Sequence, residues 1–100
     1  MTEQQIQKKI ITYLESKGAY VVKVIQASKS GVADLIVCYR GKFISIEVKT
    51  PTTKTNVAPL QKYNLRKVFE AEGISTVAWE LSQVEELLGS IDDSTITKPN

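Results

Sequence analysis

Three charged residues stand close together in a stretch of sequence that otherwise predicts buried β-structure. Asp34 is followed thirteen positions later by Glu47, and Lys49 comes two positions after that. Two carboxylates and an ammonium group on a partly apolar surface are costly to desolvate unless they are paired or bind a cation. A divalent cation such as Mg²⁺ favours one or two carboxylates together with water and phosphate oxygens. These residue types therefore suit a metal-assisted site that acts on phosphate.

The segments that carry these residues predict a β-hairpin. Residues 33–40 and 43–49 are rich in β-branched and aromatic side chains, and Gly41 lies in the break between them. With a two-residue loop, strand alternation places Asp34, Glu47 and Lys49 on one face. The opposite face is then almost wholly apolar, and a one-residue slip would bring charges into the core. The residues of that apolar face are Leu35, Val37, Tyr39, Ile44, Ile46 and Val48.

Two interpretations of the charged face are open at this point. In the first, Lys49 orients or deprotonates an attacking water, or stabilises the charge that develops on a phosphate. In the second, Asp34 and Lys49 form an ordinary ion pair across the strands and Glu47 lies in solvent. The short pattern alone does not separate the two, so the rest of the chain has to decide.

Composition limits the kind of protein. With 100 residues, 42% of them hydrophobic and 24% charged, the chain suits one soluble globular domain with a modest core. The first residues lack the basic-then-apolar organisation of a signal peptide, and no apolar run approaches the ~20 residues that span a bilayer. We therefore expect a cytoplasmic protein without a membrane segment.

The residue types that are missing restrict the chemistry. The chain has one cysteine and no histidine, which excludes an internal disulfide and a Cys/His zinc site. Histidine is also the side chain most often used for acid–base catalysis near neutral pH. Any catalysis would have to rely on carboxylates, lysine and a metal.

Charge is distributed unevenly along the chain. Residues 1–67 contain twelve Lys and Arg against four acidic residues, whereas residues 68–100 contain one Lys against seven acidic residues. No acidic residue occurs between Lys49 and Lys67, so this stretch is expected to attract a phosphate backbone. A solvated basic helix face is the simpler alternative. The residues that we predict to contact DNA are Lys29, Ser30, Lys54, Lys62 and Arg66.

Periodicity supplies the remaining elements. Thr2 and Gln5 resemble a capping box before a helix, and Ala58 takes the cap position of a later helix that ends at Gly73. That later helix is expected to pack through Leu65, Val68, Phe69 and Glu72. Residues 1–90 are predicted to form one domain and residues 91–100 a flexible tail. The predicted elements are a helix from Thr2 to Gly18, a strand over 20–27, the hairpin strands, a helix from Pro59 to about Glu72, a strand from Ile74 to Leu81 and a short helix from Gln83 to Leu88.

Two further polar residues are predicted near the charged face. Glu3 lies two helical turns before Ile10, at the end of the apolar stripe of the first helix. It is either a third carboxylate of the site or a first-turn acid that complements the helix dipole. Gln61 is in the first turn of the later helix and is placed near the ends of the charged strands.

Taken in order, these residues resemble the PD-(D/E)XK nuclease superfamily, and within it the small VRR-NUC type, over residues 3 to about 88. Glu3 matches the family's acid in the first helix, and residues 30–34 (SGVAD) match its G-x-P-D segment. Residues 46–49 (IEVK) match its (I/V)-E-x-K strand, and residues 58–61 (APLQ) match the S-x-x-Q that opens the second core helix. The resemblance implies a restriction-endonuclease-like αβββαβ core, with a mixed sheet flanked by helices.

The resemblance also implies roles for individual residues. Asp34, Glu47 and the backbone carbonyl of Val48 would bind Mg²⁺ or Mn²⁺. Lys49 would act on the attacking water and Gln61 would help to position it, while the acid in the first helix would support the metal site. The implied catalytic residues are Lys49, Asp34, Glu47, Gln61 and Glu3.

Two positions depart from the family pattern. Ala33 stands where the family has Pro, which changes the stiffness of the backbone before Asp34 but removes no ligand. Ala58 stands where a Ser usually caps the helix, which is expected to loosen the placement of Gln61. Neither change removes a catalytic group.

The function predicted from all of this is a metal-dependent DNA endonuclease. The resemblance implies a stand-alone protein of phages and bacteria that acts as a homodimer on Holliday junctions or branched DNA. A non-catalytic DNA-binding subunit that keeps the nuclease fold is the alternative, and a structural dimerisation module is the third hypothesis. The intact Asp34, Glu47 and Lys49 favour the enzyme.

Overall fold

The charged hairpin lies in the middle of a mixed four-stranded sheet. The computed structural model describes residues 1–97, with side chains described through residue 94. Strand order is β1-β2-β3-β4; β1/β2 and β2/β3 are antiparallel and β3/β4 is parallel. The elements are α1 (Glu3–Ser16), β1 (Tyr20–Lys23), β2 (Leu35–Tyr39), β3 (Lys42–Val48), α2 (Pro59–Glu70), β4 (Ile74–Ala78) and α3 (Leu81–Thr97).

Helix α1 begins as the sequence predicts. The Gln5 backbone N–H donates to Thr2 Oγ1 at 3.1 Å, and the Thr2 N–H donates to Gln5 Oε1 at 2.8 Å. This reciprocal pair satisfies backbone donors that the first turn of a helix leaves open. The apolar residues of the helix, spaced four apart, all turn into the core: Ile6, Ile10 and Leu14.

The hairpin between β2 and β3 has the predicted two-residue loop. Tyr39 pairs with Lys42, and the loop residues Arg40 and Gly41 have φ angles of 51° and 79°. Positive φ at both positions is the geometry of a type I′ turn, which matches the twist of the flanking strands. The predicted register and core face are therefore confirmed, and every residue of the apolar face is at most 6% exposed.

The two faces of the sheet are covered by different helices. On the apolar face, residues from α1 and α3 complete one core with the strand residues. Helix α2 lies on the opposite face, where Gln61 reaches Glu47 and the Ser75 hydroxyl donates to the Leu65 carbonyl at 2.7 Å. The parallel β3–β4 pair requires a crossover, and α2 is that crossover. The observed architecture is the predicted mixed α/β sheet flanked by helices.

The end of α2 differs from the prediction. The helix ends at Glu70 rather than Glu72, and Glu72 takes a φ of 71°. The Glu72 N–H donates to Phe69 O and the Gly73 N–H to Val68 O, both at 2.9 Å, as in a Schellman motif. The positive φ angle is therefore at Glu72 and not at the glycine. Glycine is needed at position 73 because a Cβ there would lie 2.8 Å from Val68 Cγ1.

The packing face of α2 was also predicted too wide. Leu65 and Val68 are partly buried, but Phe69 is 71% exposed and Glu72 is exposed. The helix contacts the sheet through residues spaced four and three apart, beginning at Gln61, and this row turns Phe69 outward. The part of the helix that packs is therefore narrower than the sequence pattern indicated.

Strands β1 and β4 are shorter than predicted. β1 ends at Lys23, after which the Val24 N–H bonds the Asp34 carbonyl at 2.8 Å. β4 ends at Ala78, because the Trp79 N–H donates to Gln83 Oε1 at 2.7 Å. Trp79 thus lies in the bend between β4 and α3 rather than in the strand.

Helix α3 replaces both the short helix over 83–88 and most of the predicted tail. It continues to Thr97, so residues 91–97 are helical, while residues 98–100 of that tail lie outside the described residues. Ile91 is buried in the core, and the Asp92 carboxylate accepts the Tyr39 hydroxyl at 2.6 Å. No local sequence pattern could predict the Tyr39–Asp92 contact, because the two residues are 53 positions apart. Between residues 1 and 97, no helix is long and apolar enough to cross a membrane.

Candidate active site

Glu47 is a buried carboxylate in the middle of the site. It lies on β3 and is only 3% exposed. Its Oε2 accepts from Gln61 Nε2 at 3.0 Å and lies 3.7 Å from Lys49 Nζ. Its Oε1 is buried and has no hydrogen-bond partner among the described residues. Because buried polar atoms are nearly always paired, this oxygen is available to a ligand.

Asp34 stands opposite Glu47 at the start of the hairpin. The β2–β3 register, in which Leu35 pairs with Ile46, brings Asp34 and Glu47 side by side when it is continued by one residue. Asp34 Oδ2 accepts the Val48 N–H at 2.8 Å. The carboxylate is therefore tied to the strand that carries Glu47, and its orientation depends on a backbone donor.

The pKa of Glu47 reflects this crowding. Burial is the largest cause and the charge of the neighbouring Asp34 carboxylate is the next; against the opposing effect of Lys49, they bring the pKa from 4.5 to about 7. Glu3 adds a smaller contribution in the same direction. Two carboxylates that interact in a desolvated place resist ionising together unless a cation joins them.

Lys49 pairs with Glu47 rather than with Asp34. The Nζ–Oε2 distance is 3.7 Å, and the side chains are 11% and 4% exposed. The simpler interpretation of the hairpin, an Asp34–Lys49 pair with Glu47 in solvent, is therefore wrong. The ammonium group is held at the site by a buried partner.

Gln61 is anchored at both ends of its amide. Its Oε1 accepts the Ala58 N–H at 2.9 Å, while its Nε2 donates to Glu47. The Ala58 donor needs an oxygen, so the amide can take only one orientation in this network. The expected loosening at Ala58 is not seen, because the half of the capping box that Gln61 supplies is intact.

Glu3 reaches the mouth of the site through a threonine-rich loop. Thr53 Oγ1 donates to Glu3 Oε2 at 3.3 Å. Thr53 also accepts the Thr50 N–H at 2.9 Å, and the Thr50 hydroxyl accepts the Thr53 N–H at 3.2 Å. Glu3 is close enough to contribute to the raised pKa of Glu47, but it does not group with Asp34 and Glu47 closely enough to be a third metal ligand. Sequence reasoning missed Thr53, for which the run of threonines was the available signal.

The residues predicted to contact DNA fall into separate places. The Ser30 carbonyl accepts from Asn64 Nδ2 at 2.9 Å, so the loop with Lys29 docks on α2. Lys54 Nζ lies 5.0 Å from the centre of the Trp79 ring. Lys62 is exposed on the first half of α2.

Arg66, the fifth of these residues, is partly neutralised. Its Nε lies 3.7 Å from Glu70 Oε2, and its guanidinium lies 5.7 Å from the centre of the Tyr63 ring. An exposed pair of this kind is weak, so the side chain is still available to a phosphate.

The donor set fits a hard divalent cation that keeps part of its water. Among the described residues, no three acidic, cysteine or histidine side chains group closely enough to hold a metal by themselves. Asp34 and Glu47 would contribute the charged oxygens and Val48 its carbonyl, and the unpaired Glu47 Oε1 is a ready ligand atom. One or two carboxylates with several waters is the usual coordination of Mg²⁺ in proteins.

Fold and site together define a class of α/β domain in which a mixed sheet carries two adjoining carboxylates and a lysine next to a helix N-terminus. The chain is similar to a solved structure described as a VRR_NUC domain. The two share 27% sequence identity with a TM-score of 0.74, over 89% of this chain and 97% of that one. This likeness agrees with the VRR-NUC resemblance of the sequence motifs. No family model and no curated protein matches the chain.

Proposed function

We propose that this protein is a metal-dependent DNA endonuclease of the PD-(D/E)XK superfamily. The observation that carries the proposal is the buried Glu47, which has one unpaired oxygen, lies next to Asp34 and is 3.7 Å from Lys49. A carboxylate in this state is unfavourable for folding by itself. Binding of a cation and an anionic substrate would compensate for the cost of burying this carboxylate.

In the proposed site, Asp34, Glu47 and the Val48 carbonyl would hold Mg²⁺ or Mn²⁺. When bound, the ion supplies Lewis-acid polarisation of the scissile phosphate. The chain's own groups do the rest. The Lys49 side chain is 11% exposed and its ammonium lies 3.7 Å from Glu47 Oε2, so it can orient the attacking water and stabilise developing charge.

Gln61 and Glu3 act on the groups around them. The Gln61 amide donates to Glu47 and is itself held by Ala58, so it fixes the direction of that carboxylate. Glu3 is joined to the loop over 50–53 through Thr53 and adds negative charge at the mouth of the metal site. Both are positioning residues in this mechanism.

The proposed substrate is branched DNA, including Holliday junctions, in the cytoplasm of a bacterial or phage-infected cell. The basic excess of residues 1–67 supplies attraction for the phosphate backbone. A single small domain offers one site, whereas symmetric cutting of a junction needs two sites related by a two-fold axis. A homodimer is therefore part of the proposal.

The decisive experiment compares linear duplex, nicked duplex, flap and four-way junction as substrates in Mg²⁺ and in Mn²⁺. We expect cleavage of at least one branched substrate, and Lys49→Ala should lower the rate by about 10²–10³-fold while DNA binding persists. Lys17→Ala, an exposed lysine near the end of α1, is the matched control and should retain full activity. A folded protein that cuts none of the four substrates contradicts the proposal.

The same preparation separates the enzyme from a non-catalytic DNA-binding subunit. Calorimetric titration with Mn²⁺ should show binding that is lost in Asp34→Asn. DNA binding with no Mn²⁺ binding at all would favour the subunit.

A further inference from the structure

A groove runs from the catalytic strands along α2 towards the hairpin turn. Its outer part has a volume of about 500 Å³ and its inner part about 200 Å³. Lys29, Phe43, Asn64 and Val68 line both parts, so they form one continuous depression. The volume of the outer part is typical of small-ligand sites.

The inner part is lined mainly by apolar residues, with Lys29, Asn64 and Ser45 as its polar members. Ile36, Leu65 and Val68 contribute to its walls. Ser45 is 1% exposed, and its Oγ has no hydrogen-bond partner among the described residues. A buried hydroxyl without a partner is destabilising, so an occupant with a polar edge would satisfy it.

The outer part is cationic and carries an aromatic ring. Lys29, Lys42 and Lys67 line it, against one acidic residue, Glu72. Phe43 is 47% exposed, although it lies on the central strand β3. Ammonium groups around a half-exposed ring suit a ligand that combines a flat base with a phosphate.

The position of Lys29 is set by packing. Asn64 holds the Ser30 carbonyl at 2.9 Å, and Gly31 lies so close to Leu60 that a Cβ would come within 2.7 Å of its backbone. Only glycine allows this approach. The loop is therefore pressed onto α2, and the lysine it carries is kept over the groove.

The groove is also in register with the candidate active site. Ser45 precedes Glu47 by two residues on the same face of β3, which corresponds to about 7 Å along the strand. An occupant of the inner end would thus lie next to the reacting phosphate. This is the separation expected for a neighbouring nucleotide of one strand.

We infer that the groove binds one unpaired nucleotide beside the scissile phosphate, with its base against Phe43 and Ser45 and its phosphate on the lysines. The inference rests on the proposed function and refines its substrate to DNA with an unpaired nucleotide next to the cut. A base within a duplex is stacked and paired and has to leave the helix before a pocket can receive it. Branched and flapped DNA supplies such bases.

The test measures binding without metal, so it does not depend on cleavage. The probes are a fluorescein-labelled oligothymidylate of about eight nucleotides and a blunt duplex, followed by fluorescence anisotropy in EDTA. Phe43→Leu keeps the apolar bulk and removes the ring face. It should weaken oligothymidylate binding by roughly tenfold and leave duplex binding unchanged.

Lysine and control variants complete the design. Lys29→Gln should weaken oligothymidylate binding and lower the slope of log affinity against log salt by roughly 0.7. Phe69→Leu and Lys17→Gln alter an exposed ring and an exposed lysine that do not line the groove, and both should match the wild type. If Phe43→Leu does not fold, Ser45→Ala takes its place, with a preferential loss of oligothymidylate binding expected.

Two results would overturn the inference. One is unchanged oligothymidylate affinity in the folded Phe43→Leu or Ser45→Ala variant, and the other is an equal loss on oligothymidylate and duplex. Selective oligothymidylate binding without cleavage would reject the endonuclease proposal but support nucleotide binding in the groove. The two proposals therefore fail in different assays.

Discussion

Gln61 Nε2 donates to Glu47 Oε2 at 3.0 Å, and the same amide accepts the Ala58 N–H at 2.9 Å through its oxygen. One side chain therefore completes the start of α2 and orients the buried carboxylate of β3. Removing it affects the helix and the site together, which allows the two effects to be measured separately.

We expect Gln61→Ala to lower the free energy of unfolding by about 1 kcal/mol, because the Ala58 N–H and Glu47 each lose a partner. If Gln61 also orients Glu47, the Mn²⁺ concentration that gives half-maximal cleavage should rise as well. Urea unfolding measures the first effect and a Mn²⁺ titration of the cleavage rate the second. A variant with lower stability and an unchanged Mn²⁺ dependence would limit Gln61 to capping.

Replacing Ala58 by Ser should restore the missing half of the capping box. The side chain of Ala58 makes no cap hydrogen bond, and a Ser there is worth about 1 kcal/mol of stability. Urea unfolding should show a higher midpoint with an unchanged slope, and cleavage should keep its rate. Ala58→Val, which cannot cap, is the control, and a midpoint raised as far by Val as by Ser would contradict the mechanism.

The pH dependence of stability should reveal the titration of Glu47. The pKa of this acid is raised from 4.5 to about 7 in the folded protein. The folded state binds the proton of Glu47 more tightly than the unfolded state does. The stabilisation that results is complete below pH 4.5 and is lost as the pH rises through about 7. The loss amounts to at most about 3 kcal/mol in metal-free protein.

Glu47→Gln removes that titration. The variant should be more stable than the wild type at pH 8 without metal, and Mn²⁺ should stabilise only the wild type. Denaturant unfolding across pH 4–9 measures both effects, with the exposed Glu86→Gln as a control that keeps the wild-type profile. A profile of Glu47→Gln that parallels the wild type would show that another group is responsible.

The left-handed conformation of Glu72 gives a prediction independent of the site. A residue with a side chain at a φ of 71° is strained by about 1 kcal/mol relative to Gly. Glu72→Gly should therefore raise the free energy of unfolding by about that amount. The neighbouring Ala71, at a φ of −83°, is the control, and Ala71→Gly should lower stability. Equal shifts in the two variants would mean that backbone strain is not the cause.

The hairpin shows how far the sequence alone could go. Side chains alternate along each strand, and Gly41 allows a two-residue turn, so local rules were sufficient to predict the register of β2 and β3. The apolar face from Leu35 to Val48 followed from that register and is buried as expected. The capping box at Thr2 is equally local and was equally predictable.

The ends of elements were less predictable because contacts from distant residues decide them. Helix α3 continues past residue 91 since Ile91 enters the core and Asp92 binds the Tyr39 hydroxyl, 53 positions away in sequence. Phe69 fits the helical period of α2 but points outward. In both cases a local pattern was overridden by packing between elements.

By itself, the sequence determined that Asp34, Glu47 and Lys49 share a face opposite an apolar core, because alternation within one hairpin is a local property of the chain. Only the tertiary structure decided which of them pair, how Gln61 holds Glu47, and that Thr53 brings Glu3 to the site. The groove lined by Ser45 and α2 also depends on the tertiary structure. These contacts join separate helices, loops and strands, so their geometry depends on how the crossover helix α2 and the loops pack against the sheet.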